Sequence, residues 1–156
     1  MSSPSIIPND EIGALVKRLR AEGKTIATLN GSFDLLHAGH LYMIEEASKQ
    51  ADVLIVALNT DRSIRQYKSP NRPICPLQER QAMMAALRWV DYVTSFDETD
   101  PRALLSVIKP DVHVNGSEYG ENCIEAEVVD KIHVVDLIPG HSTSNLLERI
   151  QALCDS

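Results

Sequence analysis

Apolar and polar positions follow two alternating patterns along the chain. Five short runs are mostly apolar, and the run at 53–58 is apolar throughout, which is typical of a strand buried on both faces. Between these runs, apolar residues recur three and four positions apart, and this spacing predicts amphipathic helices. The predicted strands are 25–29, 53–58, 92–94, 112–114 and 132–135.

Helix-forming stretches lie before, between and after the apolar runs. Asn9 is expected to cap the first helix and Gly23 to end it, and Pro76 stands where another helix begins. A loop at 67–76 separates two of the helices. The predicted helices are 12–19, 38–50, a short helical turn capped within 59–61, 77–89, 102–108, a weak helix at 124–130, and a last helix that Ser142 or Thr143 caps and that runs through Ile150.

This alternation predicts an α/β fold, with a doubly wound parallel five-stranded sheet of Rossmann-like type and right-handed crossovers. The chain is expected to form one domain, 1–156, in which an N-terminal helix at 1–23 precedes a core at 24–153. Ligands of such sheets bind outside the carboxyl ends of the strands. Three polar, glycine-bearing strand ends are therefore expected to meet on one side of the sheet: 30–32, 115–117 and 139–142.

Composition narrows the class of protein and of partner. The chain is 44 % hydrophobic and 24 % charged, as expected for a soluble globular domain, and its net charge of −7 argues against broad binding to nucleic acid. The 3 cysteines are widely spaced without a CxxC pair, which indicates a reducing cytoplasm rather than a disulfide framework or a structural zinc site. Neither a signal-peptide pattern nor an apolar run of about 20 residues is present, so no membrane partner is expected.

The turn after the first predicted strand carries the candidate chemistry. His37 and His40 flank Gly39 where a helix is expected to begin, and backbone amides and the helix dipole favour anions there. The two histidines could ligate a metal, although no third ligand at useful spacing accompanies them, or they could be structural. Phosphate binding is favoured over both, because imidazole N–H donors can stabilise the charge on a pentacovalent phosphorus.

Two segments resemble a known family. The segment 31–40, Gly-Ser-Phe-Asp-Leu-Leu-His-Ala-Gly-His, resembles the HxGH signature of the cytidylyltransferase-like nucleotidyltransferases. The segment 142–144, Ser-Thr-Ser, is similar to the Ser-Thr-Thr second signature of that family. The resemblance extends from about 25 to 150 and implies a nucleotidyltransferase. A flavodoxin-like electron carrier would share the sheet but would leave both histidines unexplained.

Further segments resemble one subgroup, the adenylyltransferase module that makes ADP-heptose from heptose 1-phosphate. These segments are 30–31, 72–73, 76–80, 90–93, 95–96 and 110–111. Glycerol-3-phosphate cytidylyltransferases carry an arginine ahead of their Ser-Thr-Thr segment, whereas 137–141 reads Leu-Ile-Pro-Gly-His. The resemblance therefore favours transfer of AMP from ATP to a sugar 1-phosphate. The alternative is a cytidylyltransferase that uses CTP and glycerol 3-phosphate or another alcohol phosphate, and a third hypothesis is a nucleotide-binding module without catalysis.

The resemblance also implies roles for individual residues. Catalytic roles fall to His37, His40, Lys68 and Arg80; nucleotide or phosphate contacts to Gly31, Ser32, Phe33, Asp34, Gly39, Asn115, Gly116, Ser142, Thr143 and Ser144; and acceptor contacts to Arg72, Arg80 and Tyr119. Arg80 has a solvent-exposed helix face as its alternative, and His141 is either a phosphate or base contact or a turn residue. The heptose module usually reads Lys-Gly-Gly-Asp-Tyr where 115–119 reads Asn-Gly-Ser-Glu-Tyr, which leaves the acceptor open.

Mg²⁺ is expected to bind mainly through the nucleoside triphosphate, without a dedicated set of protein ligands. Asp34 is at most a weak ligand candidate, and its alternative role is to orient the turn through backbone amides. The family resemblance implies a homodimer, and another protein would have to supply the phosphorylated acceptor.

Overall fold

Five parallel strands form a single sheet in the computed structural model, which describes residues 3–119 and 123–156. Their order across the sheet is β3-β2-β1-β4-β5. Successive strands are added on one side of β1 as far as β3 and on its other side from β4 onward, so the switch in strand order lies between β1 and β4. The predicted α/β fold with a doubly wound parallel sheet is confirmed. The strands are β1 Ile26–Gly31, β2 Val53–Asn59, β3 Tyr92–Phe96, β4 Val112–Gly116 and β5 Ile132–Val135.

Six α-helices accompany the sheet within the described residues, and none of them is long and apolar enough to cross a membrane. They are α1 Ile12–Ala21, α2 Ala38–Ser48, α3 Asp61–Tyr67, α4 Leu77–Ala85, α5 Arg102–Ile108 and α6 Thr143–Cys154.

Three local predictions need correction. Asn9 does not cap α1, because it begins a 3-10 turn, Asn9–Glu11, and its side-chain amide donates to the carbonyl oxygen of Ser95 at 2.7 Å. Helix α4 ends at Ala85 rather than at residue 89, because the chain tightens into turns in which Leu87 N–H donates to the carbonyl of Met84. The predicted weak helix at 124–130 is a 3-10 turn, Ile124–Glu127.

Two hydrophobic layers enclose the sheet. On one face, Ile44 of α2 and Met84 of α4 pack over Leu54 and neighbouring strand residues. On the other face, α1 and α5 cover the sheet, and α1 contributes four buried apolar residues. The hydrophobic core therefore includes α1 in addition to the segment from residue 24 onward.

The amino end of the sheet is closed by aspartates. Each of three carboxylates, at the start of one strand, accepts a hydrogen bond from a backbone N–H at the start of the neighbouring strand. The pairs are Asp52 with Thr25 at 2.9 Å, Asp91 with Leu54 at 2.8 Å, and Asp111 with Ile26 at 2.7 Å. These bonds satisfy backbone N–H groups at the amino end of the sheet. The opposite, carboxyl end of the strands is the one left open to a ligand.

Leu54 and Leu153 provide a matched test of this packing. Leu54 is 1 % exposed on β2 and Leu153 is 76 % exposed on α6. We expect Leu54→Ala to lower the free energy of unfolding by about 2–5 kcal/mol, because it leaves a cavity in the core. Leu153→Ala should change it by less than about 0.5 kcal/mol. Urea denaturation measures both, and similar losses in the two variants would contradict the packing described here.

Candidate active site

A cavity of about 330 Å³ lies at the carboxyl end of β1 and β4, where the strand order reverses. The three polar strand ends meet there, as predicted from the sequence. Thirteen of the residues predicted to bind or react with substrate line it: Gly31, Ser32, Phe33, His37, Gly39, His40, Lys68, Asn115, Gly116, Tyr119, Ser142, Thr143 and Ser144. Asp34, Arg72 and Arg80 are not among the lining residues.

The turn after β1 has an unusual backbone. Phe33 and Leu35 adopt left-handed conformations, with φ of 48° and 58°, which cost about 1–3 kcal/mol each for non-glycine residues. The Phe33 ring packs over Gly31, where a Cβ would lie 3.1 Å from its Cε2 atom, and meets the His40 ring edge-on at 5.2 Å between centroids. Packing of the Phe33 ring against Gly31 and His40 thus helps to hold the strained turn in place.

His37 and His40 form a reciprocal cap at the start of helix α2, in which each side chain accepts a hydrogen bond from the backbone N–H of the other residue. The Nδ1 atom of His37 accepts from the backbone N–H of Gly39 at 3.1 Å and of His40 at 3.4 Å. The Nδ1 atom of His40 accepts from the backbone N–H of His37 at 3.4 Å. The rings stack with their centroids 3.7 Å apart. Because each Nδ1 is an acceptor, each neutral ring carries its proton on Nε2 and can donate it to a ligand.

Both histidines are held in the neutral form. Burial lowers the pKa of His40 to about 3, and the positive charges of a protonated His37 and of Lys68 add to this effect while Asp34 opposes it. The pKa of His37 is also lowered, by burial and then by His141. The pair therefore consists of neutral hydrogen-bond donors rather than cations at physiological pH.

The start of α6 approaches the start of α2 closely. A Cβ on Gly39 would lie 2.8 Å from the carbonyl oxygen of His141, so only glycine fits at this contact. Ser142 caps α6 by accepting from the N–H of Asn145 at 3.0 Å, and Thr143 donates to the carbonyl oxygen of Asp34 at 3.1 Å. Two helix N-termini thus face one cavity, an arrangement that favours anions.

Asp34 holds the turn in place from below. Its carboxylate is 1 % exposed and accepts from the N–H groups of Ile74 at 2.8 Å and Cys75 at 2.9 Å, and from Nε of Arg72 at 3.2 Å. Burial alone would raise the pKa of Asp34, but these three hydrogen bonds hold it below its usual value. Both oxygens are engaged within the protein, so Asp34 orients the turn and is not placed to ligate a metal.

Lys68 reaches the cavity from the end of α3. Its Nζ donates to the Oγ atom of Ser32 at 3.1 Å. Burial of the ammonium group, followed by the charge of Arg72, lowers the pKa of Lys68. A positive charge that is costly in the free protein is stabilised when an anion binds beside it.

Arg80 lies behind the cavity wall, which corrects the expectation that it faces the acceptor phosphate. The residue is 2 % exposed, so the alternative of a solvent-exposed helix face is wrong as well. Its guanidinium donates to four acceptors on three segments: the carbonyl oxygens of Ser32 at 2.8 Å, Asn59 at 2.8 Å and Cys75 at 2.9 Å, and the carboxylate of Asp61 at 2.7 Å. Arg80 therefore ties the turn to the loop and to the start of α3, while Arg72 is paired with Asp34.

Sequence reasoning missed several lining residues. Met43 lies one helical turn after His40, a spacing that could have identified it. Glu118 lies within the segment already noted for its departure from the heptose module. Asn30 belongs to the strand end at 30–32 that was expected at the site, and Leu137 and Ile138 belong to the segment 137–141 that lacks arginine, but none of the three was given a role; Tyr67 has no comparable signal. Asn115 was predicted, but not the hydrogen bond that its amide donates to Sγ of Cys123 at 3.0 Å.

The residues present suit a metal carried by a nucleotide. In the described part of the chain, no group of three or more histidine, cysteine, aspartate or glutamate side chains is placed to hold a metal ion. Among the described residues that line the cavity, Glu118 is the single carboxylate. Phosphate oxygens would therefore have to provide most of the ligands of a Mg²⁺ ion, as is usual for this ion in nucleotide sites.

Comparison with known proteins places these features in one family. The family model described as Cytidylyltransferase-like matches residues 28–149. The Bifunctional protein HldE of Campylobacter fetus is 40 % identical over 135 residues, covering 86 % of this chain and 30 % of the relative. The Bifunctional protein HldE of Methylobacillus flagellatus is 42 % identical over 146 residues, covering 90 % of this chain and 30 % of the relative. The chain thus spans about 30 % of the length of these curated relatives.

Solved structures agree with this likeness. The lipopolysaccharide core biosynthesis protein from Thermoplasma volcanium superposes with a TM-score of 0.60 at 27 % identity, covering 74 % of this chain and 98 % of that chain. Pantoate-beta-alanine ligase from Francisella tularensis superposes with a TM-score of 0.65 at 18 % identity, covering 91 % of this chain and 69 % of that chain, and shares the fold.

The protonation of His40 tests the described site. We expect NMR of ¹⁵N-labelled histidine to show His40 as the Nε2–H tautomer near neutral pH, with a midpoint of protonation near the pKa of about 3. Unfolded histidine titrates near about 6.5, so the unfolded chain binds a proton that the folded chain excludes. The contribution of His40 to the free energy of unfolding is therefore complete above the unfolded pKa of about 6.5, and it declines as the pH falls towards 3. A midpoint close to that of the urea-unfolded chain would contradict the assignment.

Proposed function

The chain belongs to the cytidylyltransferase-like family, and on that premise we propose that it transfers a nucleoside monophosphate to a sugar 1-phosphate and releases pyrophosphate. The observation that carries this proposal is that His37 and His40, whose Nδ1 atoms are acceptors and whose Nε2 atoms therefore carry the protons, line a cavity that the N-termini of α2 and α6 also face. These donors and dipoles suit a triphosphate because they stabilise negative charge without contributing a proton.

In the proposed reaction, a phosphate oxygen of the acceptor forms a bond to the α-phosphorus of the nucleotide. The bond from that phosphorus to the bridging oxygen breaks, and pyrophosphate leaves with the electron pair. No covalent enzyme intermediate is needed, so the protein contributes positioning and charge stabilisation. The neutral rings of His37 and His40 donate to phosphate oxygens as charge develops, and they keep their protons throughout.

Other residues of the cavity hold the substrates. Lys68 binds a phosphate through its ammonium group. Ser142 and Ser144 offer hydroxyls, and the start of α6 offers backbone amides, while the Thr143 hydroxyl already donates to the carbonyl oxygen of Asp34. Mg²⁺ bound to the triphosphate would neutralise part of its charge. We assign Tyr119 to the acceptor side, and we assign Arg72 and Arg80 to the support of the turn and of Lys68 rather than to direct contact.

We favour ATP as the nucleotide and heptose 1-phosphate as the acceptor. The HldE relatives at 37–42 % identity and the absence of arginine from 137–141 support this choice. CTP with glycerol 3-phosphate is the alternative, which the family model alone would accommodate. The proposal includes a homodimer in the cytoplasm.

A coupled assay of pyrophosphate release tests the proposed reaction. The protein is incubated with Mg²⁺, one nucleoside triphosphate and one acceptor, across all four nucleotides and a panel of sugar 1-phosphates and polyol phosphates. We expect release with ATP and heptose 1-phosphate and little release with CTP and glycerol 3-phosphate. The reverse preference would establish the cytidylyltransferase alternative, and no release from any pair would contradict nucleotidyl transfer.

His40→Ala tests the role of the histidine pair. Loss of one donor to the developing charge should lower kcat by about 10²-fold or more. His133→Ala on β5 removes a histidine that is not among the cavity-lining residues and should leave kcat near wild type. Thermal unfolding of both variants shows whether each is folded at the assay temperature. Near-normal turnover by folded His40→Ala protein would disprove the role.

A further inference from the structure

A third histidine, His141, lines the same cavity and is oriented differently from the other two. It lies just before α6, against Gly39, where its Cβ is 2.9 Å from the position that a Cβ on Gly39 would occupy. Its ring nitrogen Nδ1 lies 3.1 Å from the carbonyl oxygen of Pro139. A carbonyl oxygen only accepts hydrogen bonds, so Nδ1 of His141 carries a proton and donates it.

This orientation decides which of the three rings can carry a positive charge. A second proton on His37 or His40 would have to bind Nδ1, where backbone N–H groups already point, and would break the cap of α2. On His141 the second proton binds Nε2, and the bond to Pro139 is kept. His141 is therefore the ring of the three that can become an imidazolium without disturbing the backbone around it.

The charged and titratable groups around His141 also favour this change when an anion arrives. Those that line the same cavity are His37 and His40 on α2, Tyr67 and Lys68 at the end of α3, and Glu118 and Tyr119 after β4. The segment 137–144 carries no other charged side chain. The described lining residues include one lysine and one glutamate, and a bound triphosphate would make the surroundings of His141 strongly negative.

We propose that His141 binds the triphosphate of the nucleotide as an imidazolium, so that nucleotide binding takes up a proton at this residue. The inference rests on the proposed function, because it takes the ligand of the cavity to be a nucleoside triphosphate. It assigns the positive charge to His141 and the neutral donors to His37 and His40.

Isothermal titration calorimetry with MgATP, without an acceptor, measures this proton directly. The titration is run at neutral pH in two buffers of different ionisation enthalpy, and the difference in heat gives the number of protons taken up. We expect wild-type protein to take up as much as about one proton per nucleotide. His141→Gln should lose this uptake and bind MgATP about tenfold more weakly, the typical worth of one hydrogen bond to a charged group.

Two further variants separate charge from titration and from folding. His141→Lys carries a permanent charge, so it should bind MgATP within about threefold of wild type without taking up a proton. His133→Gln, on β5 and not among the cavity-lining residues, should match wild type in both affinity and uptake.

Absence of proton uptake by wild type, or equal uptake by wild type and His141→Gln, would overturn the inference, as would failure of MgATP to bind. The binding measurement is independent of turnover. Normal uptake without pyrophosphate release would contradict the proposed transfer reaction while leaving the role of His141 intact.

Discussion

The reciprocal cap between His37 and His40 is the interaction on which the rest of the site depends. Each ring satisfies backbone N–H groups at the start of α2 through Nδ1, and the same bonds place the remaining proton on Nε2. One set of hydrogen bonds thus starts the helix, sets the tautomer and leaves an Nε2–H donor on each of two rings that line the cavity. Burial, which lowers the pKa of His40 to about 3, keeps these donors neutral.

Buried polar side chains hold this cap at the correct place on the sheet. The left-handed residues of the turn are costly, and the carboxylate of Asp34 offsets that cost by anchoring the turn to the loop before α4. Arg80 adds bonds from the turn to the end of β2 and the start of α3. Since α3 carries Lys68 at its end, these two side chains together fix the distance between the histidines and the lysine.

The sheet and the position of the cavity were predictable because they follow from periodicity and from the order of elements. The turn at 31–40 and the Ser142 cap were predictable for the same reason, since each marks a helix start beside small residues. Arg80 was misplaced because two of the segments that its guanidinium contacts lie far from it in the chain, and no local pattern brings Ser32 and Asn59 to the helix that carries it. The tautomers of the histidines likewise depend on which backbone N–H groups reach Nδ1, and the spacing of apolar residues in the sequence does not predict this.

The proposed transfer reaction depends on hydrogen bonds from Nε2–H of His37 and of His40 to the phosphates of a nucleotide. NMR of ¹⁵N-histidine-labelled protein, titrated with the non-reactive α,β-methylene analogue of ATP, tests this most directly. Both Nε2 protons should move downfield and exchange more slowly with water on binding, while the Nδ1 signals that report the cap stay in place. Saturation with the analogue without any change at either Nε2 proton would contradict the claim.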